Sequence, residues 1–306
     1  MQTEWLVTSG KIEIKDNLFT YIPQTAKNKY GQDERVPAYI NSNIYFENGE
    51  ITFKVSAKEH FALCQLILNT DAGSMYIGLN ASGTLFGITK LDAITNRWDL
   101  LSGSSTSENL KLETEYEINI SVNGSIITLF INNIKVAETV QETRQSQIAI
   151  AFSSSEEIVM KDFKVIPIQP TAFVIMQFSE EYNELYKEVI KPLCEEFGLI
   201  CERADDFFTT TVIIQDIIQS IMTASVVIAE ITPDNPNVFY EVGYSHAINK
   251  PTILLCDRKR DKLPFDLSSF RTLFYENSIA GKTRVEQKLR KYLETIFRQH
   301  SIHKSK

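Results

Sequence analysis

The chain has 306 residues, which exceeds the length of one ordinary domain and predicts two. Its apolar fraction of 43% and aromatic fraction of 10% are typical of globular proteins and exclude wholesale disorder. The formal charge of −8, with no long basic stripe, argues against a nucleic-acid partner, because neutralising phosphates needs clustered Lys and Arg.

The N-terminus and the cysteines together indicate a cytoplasmic protein without a membrane partner. The N-terminal MQTEWLVTSGKIEIKD lacks the apolar core of a signal peptide, and no apolar run approaches the ~20 residues of a membrane span. The cysteines show no CxxC spacing and lie in apolar surroundings, so we expect reduced core thiols. They are Cys64, Cys194, Cys201 and Cys256. No His/Cys cluster or HExxH motif predicts a metal site.

Residues 1–167 show short alternating segments separated by turns, which predicts an all-β antiparallel sandwich. The predicted strands are residues 11–14, 50–55, 62–68, 75–79, 85–88, 116–122, 126–131, 134–136, 147–152 and 159–166. Asn123-Gly124 predicts a two-residue type I′ hairpin loop, and Asn132-Asn133 predicts a further turn.

The order NGSIITLFINNIKVAET, then IAIAFSSSEEIVMKDFKV, resembles the concanavalin-like or laminin-G-like jelly rolls. Such sandwiches often bind sugars, which implies a recognition or assembly module with a carbohydrate or protein ligand. Trp5, Trp98 and Tyr76 are candidates to stack on a sugar ring, and the alternative is that they fill the space between the sheets. Trp98 lies in the polar stretch NRWD, which we interpret as a loop.

Residues 168–306 alternate apolar strands with helical patterns, which predicts an open α/β domain with a mainly parallel sheet. Pro167 and Pro170 mark the boundary between the two domains. Predicted strands are residues 172–176, 199–201, 226–231, 252–255 and 273–275. Helices are predicted after Ser179, which is a candidate cap, and at residues 213–222, after residue 237, and at 284–299.

The turn-rich loop 233–237 follows a strand, so Glu241 just beyond it is placed at the carboxyl edge of the sheet, where ligands bind. Its neighbours are mostly apolar, and burial of that kind raises a carboxyl pKa and suits it to acid–base or nucleophilic work. The alternative is that Glu241 caps the N-terminus of the helix, where the helix dipole favours a carboxylate.

The segments FVIMQF, ERADD, NPNVFYEVGYSHAINKP and PFDLSSFRTLFY resemble the nucleoside 2-deoxyribosyltransferase-like superfamily and the neighbouring bacterial TIR-like domains. The resemblance covers residues 171–276 and implies a flavodoxin/TIR-like sheet. It also implies cleavage or exchange of the N-glycosidic bond of a nucleoside or nucleotide, with NAD a frequent substrate of the TIR-like relatives and no cofactor required. Relatives of this kind serve in bacterial anti-phage defence as assemblies, which implies a homo-oligomer.

The same resemblance assigns roles to residues of this chain. The family's catalytic glutamate is Glu241, as a nucleophile or as a carboxylate that stabilises the sugar cation. Glu230, where the family often has Asp, would hold ribose hydroxyls or assist the leaving base. The candidate substrate-binding residues are Gln177, Phe178, Arg203, Asp205, Asp206, Asn235, Asn237, Tyr244 and Arg271.

Structural alternatives stay open for several of these candidates. Phe178 could be a core residue, Arg203 could lie in a solvated charged loop, and the side chain of Asn237 could cap a turn. A rival hypothesis for the whole chain is a non-catalytic nucleotide-sensing module coupled to a carbohydrate-binding sandwich. A third hypothesis is a structural assembly protein.

Overall fold

The computed structural model describes residues 3–70, 72–204 and 213–297, with only the backbone of Ile213. The chain forms two compact units, Met1–Ile168 and Gln169–Lys306. The predicted fold class is confirmed, because the first unit is an antiparallel β-sandwich and the second an open parallel sheet with helices. Within the described residues, no helix is long and apolar enough to cross a membrane.

The first unit is built from β-strands in chain order. They are β1 (Trp5–Ser9), β2 (Ile12–Lys15), β3 (Leu18–Tyr21), β4 (Thr25–Lys27), β5 (Asp33–Arg35), β6 (Ala38–Phe46), β7 (Gly49–Ala57), β8 (Leu63–Thr70), β9 (Gly73–Ala81), β10 (Thr84–Asp92), β11 (Arg97–Ser104), β12 (Tyr116–Asn123), β13 (Ile126–Ile131), β14 (Ile134–Val140), β15 (Ser146–Ser153) and β16 (Ile158–Pro167). Among the described residues they form two seven-stranded sheets, ordered β1-β6-β15-β8-β9-β10-β11 and β14-β13-β12-β7-β16-β3-β2, with β4 and β5 as a separate ribbon.

Side-chain alternation places the core of this unit between its two sheets. In β7 every second residue is buried, among them Ile51, Phe53 and Val55, while the residues between them are half-exposed. The strand paired with it, β12, repeats this pattern. Because side chains alternate between the faces of a sheet, one face of each strand enters the shared core and the other faces water.

The two hairpin turns after β12 and β13 differ in type from each other, and the first differs from its prediction. The loop between β12 and β13 is Gly124-Ser125, because Asn123 already pairs with Ile126. Gly124 has a φ of 59°, whereas Ser125 is not left-handed, which fits a type II′ turn with glycine in the first central position. The type I′ geometry occurs instead between β13 and β14, where Asn132 and Asn133 have φ values of 49° and 64°.

Several strands escape the sequence analysis because polar residues interrupt their apolar pattern. In β6, AYINSNIYF, Asn41 and Asn43 are partly exposed and the small Ser42 between them is buried, so the strand alternates although its sequence is polar. The prediction that Trp98 lies in a loop is wrong. Trp98 lies in β11 and pairs with Leu91 of β10, and the turn is made by the preceding Asn96 with a φ of 54°.

The second unit alternates strands and helices. Its elements are β17 (Thr171–Ile175), α1 (Glu180–Leu185), a π-helical turn (Tyr186–Ile190), α2 (Lys191–Glu196), β18 (Ile200–Arg203), α3 (Ile213–Thr223), β19 (Val226–Glu230), α4 (Pro236–Ala247), β20 (Thr252–Asp257), β21 (Thr272–Tyr275) and α5 (Ile279–Phe297). The described strands form one parallel sheet in the order β18-β17-β19-β20-β21. Counted within this unit, the order is 2-1-3-4-5, which is that of flavodoxin-like folds.

The two faces of this sheet carry separate cores. α1, α2 and α5 pack on one face, and α3 and α4 pack on the other. The π-helical turn between α1 and α2 ends at Ile190, two residues before Pro192, which lacks an N–H and cannot donate an ordinary helical hydrogen bond. Ser179 occupies the N-cap position of α1, but its side chain makes no cap hydrogen bond, contrary to the predicted cap.

Candidate active site

A cavity of about 570 Å³ lies beyond the carboxyl ends of β17 and β19. The chain continues from β17 to β18 on one side and then returns to β19 on the other side, so the strand order reverses here. In open parallel sheets, the crevice at such a reversal is where ligands bind. The cavity is lined by residues that follow β17 and by residues of α3 and α4.

The structure brings five predicted residues to this cavity, although they are spread over more than sixty positions of the chain. They are Gln177, Phe178, Asn235, Asn237 and Glu241. The first two follow β17, Asn235 is the N-cap of α4, and Asn237 and Glu241 lie in the first half of that helix. The topology places these two segments side by side because β17 and β19 are hydrogen-bonded neighbours.

Glu241 is the half-buried carboxyl of the cavity wall. Burial raises its pKa from the usual 4.5 to about 7. Within the described part of the chain, its carboxylate has no hydrogen-bond or ion-pair partner. The helix-cap alternative is wrong, because α4 begins at Pro236 and Glu241 lies beyond its first turn. A carboxyl in this setting is available to a ligand.

Asn235 occupies the N-cap position of α4 and ties it to the neighbouring strand end. Its side chain accepts a hydrogen bond of 3.0 Å from the backbone N–H of Asn237. Its Nδ2 donates to Oε1 of Gln177 at 3.4 Å. With Pro236 at the first helical position, these contacts fix where the helix begins, and hence where Glu241 lies one turn later.

Phe178 is 53% exposed on the cavity wall, so the core alternative does not apply to it. Arg203 is buried behind it, with its guanidinium 5.2 Å from the centroid of the Phe178 ring and 4.5 Å from that of Tyr186. The same guanidinium donates to Oδ1 of Asn183 at 2.7 Å. Arg203 therefore supports an aromatic wall, and it does not belong to the described lining of the cavity.

Glu230 lies on the other face of the sheet. Along β19, Val227 and Ala229 join the core beneath α3 and α4, whereas Ile228 joins the core on the opposite face. Because side chains alternate along a strand, Glu230, two residues after Ile228, lies on the same face as Ile228. Its carboxyl is fully buried, and its pKa is raised to about 7 by that burial. The structure therefore separates the two predicted catalytic carboxyls.

The Glu230 carboxyl is satisfied by protein donors. The backbone N–H of Thr232 donates to it at 3.1 Å, and the hydroxyls of Thr232 and Tyr275 donate as well. This local network accounts for the burial of an acidic side chain at the end of a strand.

The remaining predicted residues lie away from the described lining. Tyr244 is half-buried against the core beneath α4. Arg271 is exposed and directly precedes β21, so it lies at the opposite end of the parallel sheet from the cavity. Asp205 and Asp206 lie outside the described residues. His246, expected to be structural, stacks on Phe270 with ring centroids 4.0 Å apart.

Sequence reasoning missed two polar residues of the cavity wall. Asp216 lines the cavity from α3, and Tyr240 lines it from α4 with a largely exposed ring. The signal for Asp216 is that it is the single charged residue in the otherwise apolar and amide-rich α3. Within the described residues, no group of three or more acidic, His or Cys side chains is arranged to hold a metal ion.

The aromatic candidates of the first unit divide into two kinds. Trp5 packs edge-on against Phe19 and Phe163, with centroids 5.2 and 4.9 Å away, so it belongs to the sandwich core. Trp98 is 49% exposed and lies 4.7 Å from Tyr76, centroid to centroid. These two rings form an aromatic pair at the surface of one sheet.

Comparison with solved structures finds distant likenesses that cover about half of the chain. The carbohydrate binding module CBM66 from Bacillus subtilis is 10% identical with a TM-score of 0.41, covering 52% of this chain and 92% of that one. A Bacillus subtilis protein of unknown function with a galectin-like fold is 13% identical with a TM-score of 0.39, covering 54% and 89%. LamAcat from Zobellia galactanivorans is 12% identical with a TM-score of 0.37, covering 51% and 80%. No protein-family model and no curated protein matches the chain.

Proposed function

We propose that the second unit cleaves or exchanges the N-glycosidic bond of a nucleoside or nucleotide, with Glu241 as the carboxylate that meets the sugar carbon. The observation that carries this proposal is an acid of raised pKa, without a partner among the described residues, on the wall of a cavity at the strand reversal. The resemblance of NPNVFYEVGYSHA to the deoxyribosyltransferase-like and TIR-like domains supports the same assignment.

The reaction follows from carboxylate chemistry. Ionised Glu241 attacks C1′ of the sugar, the C1′–N bond breaks, and its electron pair leaves with the base. Water or a second base then attacks C1′, the C1′–O bond to Glu241 breaks, and the carboxylate is regenerated. When water is the acceptor, its proton passes to solvent. In a hydrolase without a covalent intermediate, the same carboxylate stabilises the oxocarbenium-like sugar.

The other lining residues supply positioning. The exposed rings of Phe178 and Tyr240 offer flat apolar surfaces for a base. The amides of Gln177 and Asn237 are hydrogen-bonding groups for sugar hydroxyls. NAD is one substrate of this class, and a role in anti-phage defence as a homo-oligomer is part of the proposal.

The test is incubation of the purified chain with a panel of nucleosides and nucleotides, including NAD, followed by chromatography of the free base. We expect base release by the wild-type chain and its loss in Glu241→Gln, which keeps the shape of the side chain and removes its charge. Glu195→Gln, at an exposed glutamate of α2, is the matched control and should retain activity. Equal release by wild type and Glu241→Gln would refute the assignment.

The alternative proposal is a nucleotide-sensing unit joined to a carbohydrate-binding sandwich. The pair formed by exposed Trp98 and half-buried Tyr76 favours it, because aromatic faces of this kind stack on sugar rings. Calorimetric titration with oligosaccharides tests it. Trp98→Ala should abolish binding, while Tyr30→Ala, at another exposed aromatic of the first unit, should leave it unchanged. Absence of binding to the wild-type chain would exclude this reading for the sugars tested.

A further inference from the structure

The charged side chains that line the cavity, among the described residues, are both acids. Asp216 contributes from α3 and Glu241 from α4. The other polar groups of the wall are uncharged, such as the amides of Gln177 and Asn237. A ligand in this cavity therefore meets a negative electrostatic field wherever the two carboxyls are ionised.

Two arginines that contact residues of or beside the cavity wall are committed to other groups. Arg203 is stacked between Phe178 and Tyr186 and donates to Asn183. Arg260, in the loop after β20, donates to the backbone oxygen of Thr232 at 2.6 Å and pairs with Asp234.

These arginines hold the walls and the loop in place. No described cationic side chain belongs to the cavity lining, so a phosphate beside Glu241 would find no charge-assisted side-chain partner among the described residues of the wall.

We propose that this site selects an unphosphorylated nucleoside with a positively charged base, such as a pyridinium riboside, over the corresponding 5′-phosphate. The inference rests on the proposed function and names its substrate class. Two carboxylates attract the cationic ring and repel a phosphate that carries one or two negative charges. A pyridinium base also leaves as a neutral molecule when it takes the electron pair of the C1′–N bond, so its departure requires no proton donor.

The size of the cavity agrees with this choice. At about 570 Å³ it falls within the roughly 300–1,000 Å³ of small-molecule sites. The exposed rings of Phe178 and Tyr240 provide faces for a planar cation, because the negative face of an aromatic ring attracts positive charge.

The experiment compares nicotinamide riboside with nicotinamide mononucleotide and NAD on the purified full chain. Binding is measured by calorimetry and base release by chromatography. We expect the apparent affinity for the riboside to exceed that for the mononucleotide by at least about tenfold at low salt, and the ratio to shrink as salt screens the carboxylates. A mononucleotide or NAD that binds as well as the riboside would overturn the proposal.

Two variants test whether the acids of the cavity wall cause the preference for the riboside over the mononucleotide. Asp216→Asn should reduce the ratio of the affinity for the riboside to the affinity for the mononucleotide, chiefly because the mononucleotide binds more tightly to the variant. Asp266→Asn, at an exposed acid of the 3₁₀ turn Phe265–Leu267, is the control and should leave the ratio unchanged. Equal ratios in wild type and Asp216→Asn would remove Asp216 from the explanation and overturn the charge argument.

The outcomes separate this inference from the proposed function. Preferential binding of the riboside without release of its base would refute the enzymatic proposal and keep the charge selection. Base release from the mononucleotide at least as fast as from the riboside would keep the enzyme and refute the selection. No binding and no release with any of the three compounds would refute both.

Discussion

Replacement of Glu241 by Gln is expected to stabilise the second unit at neutral and alkaline pH and to leave its stability unchanged in acid. The carboxyl has a pKa of 4.5 in the unfolded chain and about 7 in the fold. Between these values the unfolded chain releases its proton first, so the free energy of unfolding falls as the pH rises from about 4.5 to about 7. Above that range the loss is complete.

The magnitude follows from the shift in pKa. A rise from 4.5 to about 7 corresponds to about 3 kcal/mol at about 1.4 kcal/mol for each pKa unit. Because Glu241 is only half-buried and borders an open cavity, we discount this to about 2 kcal/mol for solvent screening. For a unit of this size, that is roughly 7 °C in the melting temperature.

The assay is urea denaturation of wild type and Glu241→Gln, followed by helical circular dichroism, at about pH 4 and about pH 8. The difference between the two proteins isolates Glu241 from Glu230, whose pKa is also raised to about 7 by burial. Glu195→Gln on α2 controls for the loss of one negative charge. A stability difference that is the same at both pH values would refute the reasoning, because a neutral amide can relieve only a charged carboxylate.

Three further predictions concern the pH dependence of base release, two glycines and the cap of α4. Base release should rise with pH through about 7, since nucleophilic Glu241 must be ionised; a rate that falls over this range would assign it as an acid instead. Gly281→Ala should lower the free energy of unfolding by about 2 kcal/mol, because the new Cβ of this α5 residue would lie 1.9 Å from the carbonyl oxygen of Glu276. Gly243→Ala in α4 should raise the free energy of unfolding by about 1 kcal/mol, because its Cβ would lie in open space. Urea midpoints of the two variants that shift in the same direction would contradict this. In the same assay, Asn235→Ala should lower the free energy of unfolding by about 1 kcal/mol, and Asn235→Asp, which keeps a cap acceptor, by much less. Equal stability of the wild type and Asn235→Ala would show that the cap contributes nothing.

The strands of the first unit could be predicted where the apolar pattern is regular, because burial on one face requires a period of two. Those of the second unit could be predicted as continuous apolar runs, because they are buried on both faces. In β7 the alternation of GEITFKVSA determines which side chains enter the core. Polar residues hide this signal in β6. The turn residue Asn96, two positions before Trp98, and the charged residues on either side of Trp98 led to the prediction of a loop there. Tertiary pairing in the sheet decides such segments, and it is not visible locally.

The candidate site could be predicted in part, and the outcome differs between the two predicted catalytic carboxyls, of which only Glu241 lines the cavity. Glu241 follows from a helix after a parallel strand, and the rule that ligands lie at carboxyl ends then places it. The sequence does not reveal on which face of the sheet Glu230 lies. β19 (VVIAE) is buried on both faces, and an apolar run without alternation does not distinguish them. Asp216 required the packing of α3 against α4, which only the folded chain provides.

The position of Trp5 and Trp98, the two tryptophans of the chain, has a practical consequence. Both belong to the sandwich, so intrinsic indole fluorescence excited at its red edge reports on the first unit alone. The described α-helices all belong to the second unit, so the helical ellipticity reports on that one. The two units can therefore be followed in a single sample without labels. Tyr240→Trp would add an emitter at the rim of the cavity, through which occupancy by a quenching pyridinium ring becomes directly visible.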